Sequence, residues 1–194
     1  MNSGYFSYVW MTCFIILINT GWRTELIGPV NRWVVMLFVG LWFLLMPISW
    51  EATSQVTIHL SVILIIALIL VVYRSLSSRT QFIQLLLFSL LLSAWHGYMV
   101  YSQRWSSLYV IHPVLDVALG EAILTGAFIR NPIHQITVIS WAVIAGLLLD
   151  QLWINPAHIE IGHAAAWDQL FIAIMMTRAV ALLTQWSQNK LYSK

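Results

Sequence analysis

The feature that most constrains this chain is a succession of apolar runs, each near the length of a bilayer-crossing helix and broken only by short polar connections. Such a helix needs about 20 mostly apolar residues to cross a ~30 Å hydrocarbon core. Seven runs meet the requirement, at about 4–21, 31–50, 57–74, 82–102, 112–130, 133–153 and 164–186. They are too long and too uniformly apolar for strands, and an open sheet cannot satisfy its backbone in lipid. Three of the connections, "IGPVNR", "RNPIHQ" and "NPAHIE", carry a proline that ends one helix and starts the next. No linker, low-complexity tract or internal repeat divides the chain. The expectation is one domain over residues 1–194, an all-α polytopic transmembrane bundle. Because only "RNP" separates the fifth and sixth runs, a six-span arrangement with one re-entrant segment stays open beside the seven-span one.

Composition enters as a test of that reading. Charged residues make up 8% of the chain and hydrophobic ones 60%, whereas a soluble domain carries about a quarter charged residues. So few charges could not cover a water-soluble surface. The formal net charge is +2, and the nine Lys and Arg stand singly at the ends of apolar runs. They form no basic patch, which excludes a nucleic-acid partner and leaves the lipid bilayer as the partner the composition implies. The single cysteine, Cys13, excludes an intrachain disulfide. The first run has neither a basic n-region nor a small-residue cleavage site, so it reads as a spanning helix and not a signal peptide.

Basic residues give the direction. Arg23, Arg32, Arg74, Arg79, Arg130, Arg178, Lys190 and Lys194 all fall on one side of a seven-span arrangement, and only Arg104 falls opposite. The positive-inside bias then puts the N-terminus outside and the C-terminus in the cytoplasm. Trp22, Trp33 and Trp186 fall at the inner boundary and Trp50, Trp105, Trp153 and Trp167 at the outer one, as aromatic belts do. Trp10, Trp42 and Trp141 lie nearer mid-span and read as packing residues. Arg178 is expected to snorkel toward the cytoplasmic headgroups.

Imidazoles and carboxylates gather on the other side. Glu51, His59, His96, His112, Asp116, Asp150, His158, Glu160, His163 and Asp168 all fall in the outer half or its connections. Much of this is ordinary: acids are tolerated in external loops, and Asp116 and Asp168 stand in first turns, where a carboxylate suits the positive end of the helix dipole. Glu121 is different. It lies five residues past Asp116, roughly 7 Å deeper at 1.5 Å per residue. A charged acid at such depth costs at least ~2.5 kcal/mol on insertion scales and must be protonated, paired or facing a wet cavity. Ser89, Ser93, His96 and Gln103 form a polar stripe on the fourth run, which should turn toward protein. The third run, "VILIIALILVV", has no side-chain polar atom and is expected to face lipid. The interior is thus expected among spans four, five and seven, with one or six contributing.

Three roles follow. A non-enzymatic structural or accessory membrane protein needs these groups only for packing and topology. A transporter of a proton, cation or small solute would use the intramembrane acids, with Glu121, Asp116, His96 and Asp168 as the binding residues. A metal-dependent intramembrane hydrolase would hold a divalent ion such as Zn²⁺ on His112, Asp116, His158 and His163. "HIEIGH" is not the zincin H-E-x-x-H pattern, since its histidines are five apart. There is no G-x-S-x-G, so a covalent nucleophile lacks support, and no organic cofactor is implied. Small residues on the fifth run permit homodimerisation without requiring it.

With "INTGWRTEL", "LWFLLMPISW" and "SAWHGYMVY" in its N-terminal half, and in its size and span layout, the chain resembles the YphA-like group of small bacterial membrane proteins of unassigned role. The resemblance implies a multi-pass cytoplasmic-membrane protein and brings no functional residues with it.

Overall fold

The computed structural model describes residues 4–76, 78–102, 113–154 and 159–192. Its helices are α1 (Tyr5–Asn19), α2 (Arg23–Ile27), α3 (Arg32–Leu45), α4 (Ser61–Ser75), α5 (Arg79–Ser102), α6 (Pro113–Phe128), α7 (Pro132–Ile154) and α8 (Ala164–Tyr192), and its strands are β1 (Ser49–Thr53), β2 (Val56–His59) and β3 (Ile159–Ile161). The protein is predominantly helical. Each of the seven apolar runs carries one helix, and α2 adds a short turn within the first connection. Among the described residues, three stretches, Arg79–Met99, Pro132–Leu149 and Ala164–Gln188, are long and apolar enough to cross a membrane. The apolar helices α1, α3 and α4 have 15, 14 and 15 residues.

Local chemistry sets the boundaries. The Asn31 side chain accepts from the Trp33 amide to cap α3, and Asn131 does the same for Ile133 at the start of α7. Pro132 occupies the first helical position of α7, where its missing N–H costs nothing. At the other end of α3 the sequence expectation was too generous. The run 31–50 was read as one helix, but α3 stops at Leu45, and Pro47 follows without an amide to extend the ladder.

Residues read as the ends of two spans instead form a β-hairpin. Ser49 pairs with His59, Trp50 with Ile58, Glu51 with Thr57 and Thr53 with Val56, with a bulge between Glu51 and Thr53. The β-branched Thr53, Val56, Thr57 and Ile58 suit the pleated ladder. β3 then joins β2 in parallel, Val56 opposite Ile159 and Ile58 opposite Ile161. A three-stranded sheet in the order β1-β2-β3 therefore sits at one end of the bundle. The far side of β3 is closed by a side chain of α7. Gln151 donates through Nε2 to the Glu160 carbonyl and accepts the Glu160 amide on Oε1, both at 2.7 Å.

The closest helix pairs are α5 with α7 and α6 with α8. Small residues set that closeness. A Cβ on Gly126 of α6 would meet Val180 of α8 at 3.0 Å, and one on Gly146 of α7 would meet the His96 ring at 2.7 Å or less. At the centre, Trp42 of α3 is fully buried and lies edge-on to Trp167 (5.5 Å) and Phe171 (5.6 Å) of α8. Trp167, expected at the outer boundary, is buried against other helices, and its Nε1 donates to Ser61 Oγ of α4. The Ser61 hydroxyl satisfies the indole N–H that burial would otherwise strand. Nor does α4 face outward all round: Val62, Ile65, Ile69 and Val72 are buried while Ile63, Ile66, Leu70 and Val71 are exposed.

Candidate functional site

The polar stripe on α5 and the deep acid on α6 meet. His96 and Glu121 are each 0% exposed, and His96 Nδ1 lies 2.5 Å from Glu121 Oε1. Gln169 of α8 approaches the other ring nitrogen, Nε2, at 3.3 Å. With the Gln169 amide donating to Nε2, the one proton of a neutral ring resides on Nδ1 and is donated to the carboxylate. Gly146 of α7 backs the imidazole so closely that no side chain fits there. Four helices thus fix one ring.

The pair is not closed chemically. Among the described residues, Glu121 Oε2 is buried without a hydrogen-bond partner, as is Thr125 Oγ1 one turn further along α6. Residues four apart share a helix face, so α6 presents two unused polar atoms side by side. By charge count, a neutral ring beside a carboxylate carries −1, and one added proton makes the pair neutral. With the ring doubly protonated, Nε2–H becomes a donor and the Gln169 amide must turn its oxygen to it. Both protonation states therefore have a hydrogen-bonded form. Ser93, one turn before His96, donates to the Ser89 carbonyl (2.7 Å), and Ser89 Oγ lies 3.0 Å from the Tyr73 hydroxyl of α4.

The remaining sequence candidates separate from this centre. Asp168, proposed beside Glu121, faces α1: it accepts from the Gly4 amide (2.7 Å), the Ser7 amide (2.7 Å) and the Ser7 hydroxyl (2.6 Å). It caps a helix that is not its own. Asp116 stands half-buried in the first turn of α6. Glu160 pairs with His59 Nε2 at 2.9 Å, joining β3 to β2. His163 caps α8, its Nδ1 accepting the Ala166 amide at 3.1 Å. His112 and His158 lie outside the described residues, and among the described residues no group of three or more His, Cys, Asp or Glu is arranged to hold a metal ion. Arg178 does not snorkel. It is 5% exposed and donates through Nη1 to Gln135 Oε1 of α7 and through Nη2 to the Glu25 carbonyl of α2, because those two acceptors meet it inside the bundle.

The cap formed by His163 makes the sheet end sensitive to acid. Burial lowers the ring below its ordinary 6.5, Glu160 opposes this, and His59 reinforces it. Between the lowered folded value and 6.5 the unfolded chain binds more protons, so stability is complete above 6.5 and falls as pH drops below it. Protonation also removes the Nδ1 acceptor from the Ala166 amide. In detergent, thermal stability is expected to decline below about pH 6.5, and His163→Asn, which keeps a capping oxygen, is expected to blunt the decline. An unchanged acid slope in that variant would remove His163 as its source.

Compared with known proteins, the chain matches no family model, no curated protein and no solved structure.

Proposed function

We propose that the chain is a multi-pass protein of the bacterial cell membrane whose His96–Glu121–Gln169 cluster takes up and releases a proton in step with the passage of a cation or small solute. The observation that carries this is the fully buried imidazole–carboxylate contact, with Glu121 Oε2 still unpartnered beside it. Ionisable groups at such depth are expensive to keep, and a functional role is the default reading. Seven crossings with the N-terminus outside fit the same picture. Eight of the nine basic residues would face the cytoplasm. The N-termini of α1 and α8 adjoin through Asp168, as the first and last of an odd number of crossings should. In that arrangement the sheet end is external. Kinship with the YphA-like group belongs to the same proposal.

The test is proton flux into proteoliposomes under an imposed pH step, read with an entrapped pH dye. Wild type is expected to exceed empty vesicles, and Glu121→Gln to lose at least about tenfold of the excess, the usual scale for removing a positioned proton acceptor being 10²–10⁴-fold. Equal flux in the variant would sink the coupling role. A second reading then stands: a non-enzymatic structural or accessory protein, favoured by the way the cluster draws on three helices, α5, α6 and α8.

A further inference from the structure

Away from that cluster, a cleft of about 150 Å³ opens among α1, α2, α3, α4, α7 and α8. Phe14, Val34, Phe38, Ile136 and Ile174 are among the apolar side chains that line it, and among the described residues Arg178 is the one charged group on its wall. The guanidinium is buried, yet both groups it bonds, the Gln135 amide oxygen and the Glu25 main-chain carbonyl, are neutral. The Glu25 carboxylate does not turn in to meet it; that residue is exposed and offers only its backbone. Among the described residues no acid forms an ion pair with Arg178, and its Nε, also buried, has no partner at all.

A buried cation without a counter-charge is costly. An anion would offset that cost, and the planar guanidinium suits phosphate oxygens two at a time. The apolar wall asks for hydrocarbon. It follows α8 from Leu170 to Arg178, roughly 12 Å at 1.5 Å per residue. Arg178 also lies beside α2 and the first turn of α7, at the end of the bundle away from the sheet. A charged head would thus sit near a membrane boundary while a chain extends inward. We infer that the cleft is a binding site for an anionic phospholipid, with the phosphate on Arg178 and one acyl chain along Ile174 and Ile136. The site is independent of the proton reading, and Glu121→Gln is expected to bind lipid as wild type does.

Delipidated full-length protein in neutral detergent supplies the test, through thermal stability titrated with phosphatidylglycerol, with phosphatidylcholine of the same chains, and with inorganic phosphate. Phosphatidylglycerol is expected to raise the melting temperature saturably and the other two are not. Arg178→Gln should abolish the rise. Ile136→Trp, which fills the cleft and leaves the cation in place, should weaken apparent affinity at least about tenfold, since the chain loses most of its apolar contact; it carries the test if Arg178→Gln does not fold. An equal rise with phosphatidylcholine would overturn the site as one for anions. The same rise with inorganic phosphate would reduce it to an adventitious ion site, and full affinity in Ile136→Trp would exclude the acyl chain from the cleft.

Discussion

His96→Ala is expected to cost about 3–5 kcal/mol of stability, the usual result of removing the partner of a buried charged group. Both side chains are 0% exposed, so the Glu121 carboxylate would be left with neither oxygen bonded and no water to replace the imidazole. The double variant His96→Leu/Glu121→Leu is expected to recover most of the loss, because two apolar groups of similar volume leave no polar atom stranded. Unfolding in mixed micelles compares the three proteins directly. A small loss in the single variant, under about 1 kcal/mol, would mean that the contact is not maintained or that water reaches it. The double variant has a further use. If it folds and carries no proton, packing and proton handling become separable properties of the same two positions.

Asp168→Ala is the second large effect. Its carboxylate holds two backbone amides and one hydroxyl of α1's first turn, and Ser7 is itself fully buried. Losing the acceptor strands these donors and frees the N-terminus of α1 from α8. A cost of about 2–3 kcal/mol follows from the worth of a charge-assisted bond together with an N-cap. Asp168→Asn keeps one acceptor oxygen and is expected to lose roughly half of that. Limited proteolysis near Gly4 reads the same event locally: faster cleavage in Asp168→Ala with α8 intact is the expected pattern. Unaltered stability and unaltered cleavage together would show that α1 is held by its apolar face alone.

The positions of the seven main helices were legible because apolar run length depends only on local composition. The meeting of His96 with Glu121 was half legible. The stripe Ser89–Ser93–His96 and the depth of Glu121 each pointed inward, but nothing in either segment named the other as its partner. Asp168 was misjudged for a related reason. A carboxylate in a first turn serves its own helix dipole by default, and the amides it actually serves lie 161 and 164 positions away in sequence. The hairpin was hidden because Trp50 at the end of one run and Ile58 at the start of the next are apolar enough to extend both, which masks the period-2 pattern between them. Arg178 was expected to reach out past the bundle, whereas it is buried and its two acceptors come from α7 and α2.

One helix collects nearly all of these bonds. From α8, Trp167 reaches α4, Asp168 reaches α1, Gln169 reaches His96 on α5, and Arg178 reaches α7 and α2. A chain emerges from the ribosome N-terminus first, so the segment that answers Ser7, Ser61 and His96 is made after all three. Until it inserts, Ser7 and Ser61 must wait in lipid or with borrowed partners, and the nascent bundle lacks the ties that α8 supplies. Insertion of α8 is therefore also the step that ties α1, α4 and α5 to one another.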